Sequence, residues 1–308
     1  MKALIIGAAG FVGHYLIEHL ASIGKEVIAT HLPGETIDAQ ATTVELDILD
    51  PTACVNMMET VQPCEVYHLA AQSSVAVAWQ HPALTVDINI KGTINILESI
   101  RGKNIRLLLV GSSEEYGVVP PECMPISENL RTNPQNIYAV SKATQNTLGE
   151  VYKNAYDLDV IMTRSFNHIG PRQTEKFVVS SFCKQVADIE AGFCSPTIKV
   201  GNLSARRDFT DVRDIVRAYG LLMKKGKSGE TYNVGSGKAV SIQSILDSLL
   251  EMSSQKIMVE QDPTRMRPSD VPVIVADISK LHAETSWQPE ILISETIRNV
   301  LDHWRSKV

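Results

Sequence analysis

The chain begins with a short apolar run at residues 3–6. It passes directly into Gly7-Ala8-Ala9-Gly10-Phe11-Val12-Gly13 and then into a helical stripe of Val12, Leu16, Ile17 and Leu20. No other feature limits the fold as strongly. Five more apolar runs follow at residues 27–30, 43–46, 66–69, 107–110 and 160–163, with a second stripe at Ile90, Ile94, Leu97 and Ile100. Strand-then-helix repetition implies a parallel sheet with helices on both faces, because a parallel connection needs a crossover long enough to hold a helix. Strands covered on both faces read as unbroken apolar runs, and these do. The expected class is α/β, a doubly wound parallel sheet of the Rossmann type.

The pattern loosens after Phe166. Residues 219–223 and 242–250 have helical character and 231–234 reads as a strand, while Pro263, Pro268, Pro272 and Pro289 break up the C-terminal region. Residues 1–166 are therefore expected to form the nucleotide-binding sheet domain, with pieces from about 205–236 returning to it. Residues 167–308 are expected to form mainly a smaller substrate-binding lobe. A net charge of −6 with scattered basic residues argues against a nucleic-acid partner. The five cysteines show no C-x-x-C pair and no histidine at metal-finger spacing, which points to reduced thiols, a cytoplasmic setting and no metal. No apolar run reaches the roughly 18 residues of a membrane helix. The N-terminal run lacks a small-residue cleavage site and is interrupted by Gly7 and Gly10, unlike a signal peptide.

Glycines at this place have a physical purpose. One allows the tight turn, one lets a pyrophosphate approach the backbone, and one lets the helix pack closely. The helix N-terminus then offers unpaired N–H groups and a partial positive charge to phosphates. Gly7, Ala9, Gly10, Phe11, Val12 and Gly13 are thus the candidate cradle of a dinucleotide. The position that reads the adenosine ribose lies about 20 residues on, where Thr30 and His31 stand. Neither an acid for a 2′-hydroxyl nor an arginine for a 2′-phosphate is there, so the expected cofactor is NADP(H), with NAD(H) also accommodated. Asp47, beside Ile48 after the third strand, could accept a hydrogen bond from an adenine amine.

Tyr138 and Lys142 stand four residues apart in a helical stretch, on one face. An ammonium beside a phenol is expected to lower its pKa and fit it for proton exchange with a carbonyl or alcohol oxygen. Ser112 follows the strand at 107–110, at the sheet edge where ligands of such folds gather, and can supply a second hydrogen bond to that oxygen.

Together with Asp47-Ile48, His68-Leu69-Ala70-Ala71-Gln72, Asn89-Ile90-Lys91-Gly92-Thr93 and the segment from Ser112 to Gly117, these motifs resemble the extended short-chain dehydrogenase/reductases, the nucleotide-sugar epimerase and dehydratase group, over nearly the whole chain. The resemblance implies a Ser112–Tyr138–Lys142 triad. It also implies a dinucleotide held by the glycine loop, Asp47, Leu69, Ala70, Ala71, Gln72, Tyr138 and Lys142, with Val110 and His168 alongside. The segments 164–172, 200–209 and 261–270, with 72–77, narrow it to the GDP-mannose branch, whose members dehydrate GDP-mannose or reduce the 4-keto product. For that branch Ser73, Ser112, Asn167, Val179, Asn202, Arg207, Arg267 and Asp270 are the candidate substrate contacts. The arginines suit a diphosphate and Asp270 a guanine edge.

Glu114 occupies the place of the dehydratase acid/base. Against dehydration, the stretch after the second strand is Thr30-His31-Leu32-Pro33-Gly34-Glu35 and not arginine-rich. The resemblance therefore implies NAD(P)H-dependent reduction of the C4 keto group of GDP-4-keto-6-deoxy-D-mannose, giving GDP-D-rhamnose, with GDP-mannose dehydration or another nucleotide-sugar epimerase/dehydratase reaction of the family as the alternative. It further implies a homodimer through a four-helix bundle made by the helices near 91–100 and 141–156. A dinucleotide-sensing regulator is the alternative of a different class, and the presence of both Tyr138 and Lys142 argues against it.

Overall fold

The computed structural model describes residues 1–265 and 271–308. The chain runs through β1 (Lys2–Ile6), α1 (Phe11–Ser22), β2 (Glu26–His31), β3 (Thr42–Glu45), α2 (Pro51–Val61) and β4 (Glu65–His68). It continues through α3 (Val75–Gln80), α4 (Pro82–Val86), a π-helical turn (Asp87–Lys91), α5 (Gly92–Ile100), β5 (Arg106–Ser112), α6 (Ile137–Tyr156) and β6 (Asp159–Ser165). Beyond these come β7 (Asn167–Ile169), α7 (Val178–Glu190), β8 (Thr197–Val200), β9 (Arg206–Asp211), α8 (Val212–Lys225) and β10 (Thr231–Val234). The chain finishes with β11 (Ala239–Ser241), α9 (Ile242–Met252), β12 (Met258–Gln261), β13 (Val273–Ile274), α10 (Ser279–Thr285) and α11 (Ile293–Arg305).

Seven of these strands form one parallel sheet in the order β3-β2-β1-β4-β5-β6-β10. All six apolar runs of the first half are strands of it. The chain builds outward from β1 to β3 and then returns to β4 on the other side of β1. That reversal opens a crevice at the C-terminal ends of β1 and β4, where ligands of doubly wound sheets bind. Ala3 to Ile6, Leu107 to Leu109 and Val160 to Met162 are buried because both sheet faces are covered. On one face Leu16, Ile17 and Leu20 of α1 pack with Ile215, Tyr219 and Leu222 of α8, Leu281 and Trp287. On the other lie Met57 and Met58 of α2 and Ile96, Leu97 and Ile100 of α5.

A second core joins α7, α9 and α11 to β8 and β9, through Phe182, Val186, Leu246, Leu249, Val300 and Leu301. There β9 pairs with β7, β11 and β13. Within the stretch 205–236, α8 and β10 return to the large sheet whereas β9 belongs to the small one. Among the described residues no helix is long and apolar enough to cross a membrane.

Candidate active site

The glycines after β1 separate into two kinds. Gly7 has φ +81°, and a Cβ there would fall 2.5 Å from the Ala70 backbone. A Cβ on Gly13 would fall 2.1 Å from the Ala8 carbonyl oxygen. The chain itself requires both to lack a side chain. Gly10 is different. Its φ of −72° suits any residue, it is exposed, and the nearest atom to a Cβ would be the Gly7 oxygen at 3.6 Å. Gly10 is also the N-cap of α1, without a side-chain cap and without an acid in the first turn. A bare backbone corner at an uncapped helix start fits a pyrophosphate. Ala9, Phe11 and Val12 surround it partly exposed.

The neighbouring candidates serve two ends. Thr30 is buried, and its Oγ1 accepts from Gly7 N at 3.1 Å, so its side chain braces the loop. His31 is partly exposed, with Nδ1 2.9 Å from the Leu32 oxygen. Glu35, in the turn after β2, accepts from Leu32 N at 3.0 Å. Asp47 is exposed and accepts from Leu49 N at 2.9 Å, while the Ile48 side chain is buried under Gly92. Leu69 and Ala70 donate their amides to the Ile6 oxygen, which sets the 69–72 segment against Gly7. Ala71 is partly exposed. The Gln72 side chain turns inward, accepting from Ser74 N at 2.6 Å and donating to Thr85 Oγ1 at 2.8 Å. Ser73 is exposed beside it. His168 stacks on Phe11, with centroids 6.0 Å apart and planes at 4°, and Tyr15 donates to the Pro171 oxygen at 2.7 Å. The start of α1 is thereby tied to the segment after β6.

Ser112 is the last residue of β5, two beyond the apolar run at 107–110. Its Oγ accepts from Glu114 N at 3.2 Å and lies toward the Tyr138 hydroxyl, whose ionisation it favours. Asn136 caps α6, accepting from Ala139 N at 2.8 Å, and so sets Tyr138 in the first turn. One expectation is overturned here. Burial pushes the Tyr138 phenol up to about 12, with the carboxylates of Glu114 and Glu115 acting in the same direction and Ser112 against it. The Lys142 ammonium gives the opposing help that spacing alone implied to other groups. It is buried and donates to the Val110 oxygen at 2.8 Å and to Gln145 Oε1 at 3.1 Å. Burial draws Lys142 down to about 8, against the Glu115 charge. Glu114 is exposed at the mouth, where Oε2 accepts from Asn136 Nδ2 at 3.1 Å.

A buried ionic group lies beneath the site; its two residues fall in the motif segments 112–117 and 164–172, but nothing in either segment signals that they pair. The Glu115 side chain is fully buried and accepts from Ser112 N at 2.8 Å, from Asn146 Nδ2 at 3.0 Å and from Arg164 Nε at 3.1 Å. Arg164 continues to the Tyr116 hydroxyl at 3.1 Å and the Glu128 oxygen at 3.2 Å, and lies over the Tyr116 ring. Tyr116 in turn donates to Asn233 Oδ1 at 2.7 Å. The turn bearing Ser112 and Glu114 is thus fixed from below through β5, β6 and β10. Asn89 was also missed as a side chain with a role, although its motif stood out. It lies fully buried on the π-helical turn.

The substrate candidates are more dispersed. Asn167 is exposed on β7. Val179 is 1% exposed inside the C-terminal core, so its side chain presents no contact surface. Asn202 Oδ1 accepts from Ser204 N at 3.0 Å, and Arg207 donates to the Val271 oxygen at 2.7 Å. Arg267 and Asp270 lie outside the described residues.

Comparison with known proteins places the chain in a family. Residues 4–300 match the family model described as GDP-mannose 4,6 dehydratase. GDP-6-deoxy-D-mannose reductase of Pseudomonas aeruginosa is 34% identical, covering 100% of this chain and 98% of its own length. GDP-mannose 4,6 dehydratase 2 of Arabidopsis thaliana is 29% identical, covering 97% and 86%. Among solved structures, RMD from Pseudomonas aeruginosa complexed with NADPH superposes with a TM-score of 0.90 at 32% identity over 100% of both chains. Thermus thermophilus UDP-glucose 4-epimerase in complex with NAD gives 0.88 at 28%, again over 100% of both. This chain is a member of the GDP-mannose 4,6-dehydratase family of Rossmann-type nucleotide-sugar enzymes.

Proposed function

We propose that this protein reduces the C4 keto group of GDP-4-keto-6-deoxy-D-mannose to GDP-D-rhamnose, with NADPH as its main cofactor and NADH as a second. The observation that carries this reading is full-length identity to a GDP-6-deoxy-D-mannose reductase, on a chain whose Ser112, Tyr138 and Lys142 gather at the C-terminal edge of the sheet. Gly7, Gly10 and Gly13, the start of α1, Leu69 to Ala71 and His168 are the residues that would hold the cofactor. Bound there, it would supply a hydride to C4 of the sugar.

The protein's part is the proton. A phenol held near 12 is protonated at neutral pH, so it stands loaded as an acid, the state that reduction needs. As the C4=O π bond opens, its oxygen becomes a far stronger base than a phenolate and takes the Tyr138 proton. Ser112 hydrogen-bonds the same oxygen. Lys142, engaged by the Val110 oxygen and Gln145, would hold the cofactor ribose from the same helix. Acid–base help of this kind contributes about 10²–10⁴-fold. Asn167, Asn202, Arg207, Arg267 and Asp270 would hold the GDP moiety from the C-terminal lobe.

Several finer readings accompany this one. Residues 1–166 serve as the cofactor domain and 167–308 mainly as the substrate lobe. Two copies pair through α5 and α6, a reading supported by exposed Val140 and Val151 on α6 and exposed Trp79, Leu84 and Val86 on the adjacent short helices. The protein works in the cytoplasm. A second reading, dehydration of GDP-mannose, is favoured by one observation, the Glu114 carboxylate at the mouth of the site. Turnover separates the two. Purified protein should oxidise one NADPH per 4-keto sugar consumed and leave GDP-mannose untouched. Conversion of GDP-mannose to a 4-keto sugar without net cofactor oxidation would replace the reductase reading with the dehydratase one.

A further inference from the structure

One buried ionisable side chain beside the triad has no part in the chemistry above. His68 ends β4 and is 1% exposed. Its Nε2 lies 3.1 Å from Thr93 Oγ1, and that hydroxyl donates to the Asn89 carbonyl oxygen at 2.7 Å. A threonine hydroxyl has a single proton. With that proton committed to Asn89, the proton in the His68–Thr93 bond belongs to Nε2. His68 is therefore the Nε2–H tautomer, and its Nδ1 is a bare lone pair with no partner among the described residues. Burial holds its pKa down to about 3, and the Lys142 charge acts in the same direction.

The hydrogen bonds run on from Thr93 to the catalytic helix. The two amide protons of Asn89 go to the Gln72 oxygen at 3.0 Å and to Ser141 Oγ at 2.8 Å, while its Oδ1 accepts from Gln72 N at 2.8 Å. Ser141, next to Lys142, donates to the Tyr138 backbone oxygen at 2.7 Å. A continuous path thus joins β4, α5, the π-helical turn and the first turn of α6. Such turns are frequent at functional sites. Among the described residues, the ionisable groups on this path are few. Lys142 comes from α6, with Glu115 behind it from the turn after β5, and α5 and the π-helical turn face His68 with the uncharged Thr93 and Asn89.

We propose that His68 is a positioning residue of the catalytic site, a neutral imidazole that donates to Thr93, fixes through it the turn by which Asn89 holds the start of α6, and accompanies the Lys142 ammonium without repelling it. The kinetic part of this proposal rests on the reductase reading; the tautomer does not.

Two variants and one spectrum test it. Imidazole ¹⁵N NMR of the wild-type protein should show His68 neutral and protonated at Nε2 throughout the pH range of folding. In turnover, the wild-type rate should fall on the alkaline side as Lys142 loses its proton near pH 8. His68→Phe keeps the bulk but removes the donor and the lone pair. Its kcat should fall on the order of 10–10²-fold, as misplacement of a catalytic group costs. Its alkaline limb should move to lower pH, because hydrocarbon beside the ammonium disfavours the charged form. His68→Gln returns an N–H toward Thr93 and should recover most of kcat and the wild-type limb. A protonated or Nδ1–H imidazole near neutral pH would overturn the proposal. So would a Phe variant with unchanged kcat and pH limb, or Phe and Gln variants that lose activity only in step with thermal stability. If no keto sugar is turned over, the reductase reading fails, and the NMR tautomer with the pH dependence of NADPH affinity, read by fluorescence, still decides on His68.

Discussion

The two walls of the cleft are built on different terms. On the sheet side, candidate groups stand at the ends of buried parallel strands or in the first turn of a helix that follows one. Gly7 follows β1, Leu69 follows β4, Ser112 ends β5, and Tyr138 opens α6. Position there follows from topology, because hydrogen-bonded strands bring their ends to one edge. On the C-terminal side, Asn167 and Arg207 come from neighbouring strands of the second sheet and Asn202 from a loop, and the Asn202 and Arg207 side chains already bond to nearby groups. Under the proposed function, the chemistry sits on a rigid edge and the substrate recognition on pieces whose geometry depends on the whole lobe. Mutations should act on reaction rate in the first region and on substrate affinity in the second.

The largest effect should come from removing the proton source. Tyr138→Phe is expected to lower kcat by about 10²–10⁴-fold while NADPH still binds, measured by fluorescence titration beside steady-state rates. If the rate survives, the sheet edge does not carry the chemistry and the contrast between the two walls is lost. Next in size is the support beneath that edge. Arg164→Met leaves the fully buried Glu115 carboxylate without its partner, and breaking such a pair costs about 3–5 kcal/mol. Chemical denaturation should show a loss of that order. A neutral result would mean that Asn146 and Ser112 N suffice to hold Glu115. The smallest change in stability should come from Gly10→Ala, which adds a methyl to open space and at this N-cap should cost no more than about 1 kcal/mol. NADPH affinity should nonetheless fall at least roughly tenfold. An unchanged affinity would move the pyrophosphate away from that corner.

The same contrast explains what the sequence made legible. Apolar runs and stripes report burial on a regular element, so the strands of the large sheet and the stripe of α1 could be read almost residue by residue, whereas on α5 the buried face is Ile96, Leu97 and Ile100 and the expected Ile90 and Ile94 are only partly buried. The Tyr138–Lys142 spacing reports a shared helix face. It does not report solvation. The phenol therefore stands higher than spacing implied, because burial and two nearby carboxylates outweigh an ammonium engaged by Val110 and Gln145. Glu115 and Arg164, Asn89 with Ser141, and His68 with Thr93 meet only through tertiary contacts between elements far apart in the chain. No local periodicity encodes such pairs. Val179 shows the converse, a residue placed at the site by motif whose side chain the lobe buries. Arg267 and Asp270 lie outside the described residues, so their part is carried by the motif alone.

The central claim is that hydride and proton add across one carbonyl of the sugar. Turnover of the 4-keto sugar with NADPH deuterated at the transferable position, followed by NMR of the product, tests it most directly. The account predicts one deuterium at C4 of the deoxysugar for each NADPH oxidised, and loss of that product in Tyr138→Phe. Deuterium at C6, or a product formed from GDP-mannose with the cofactor unconsumed, would contradict it.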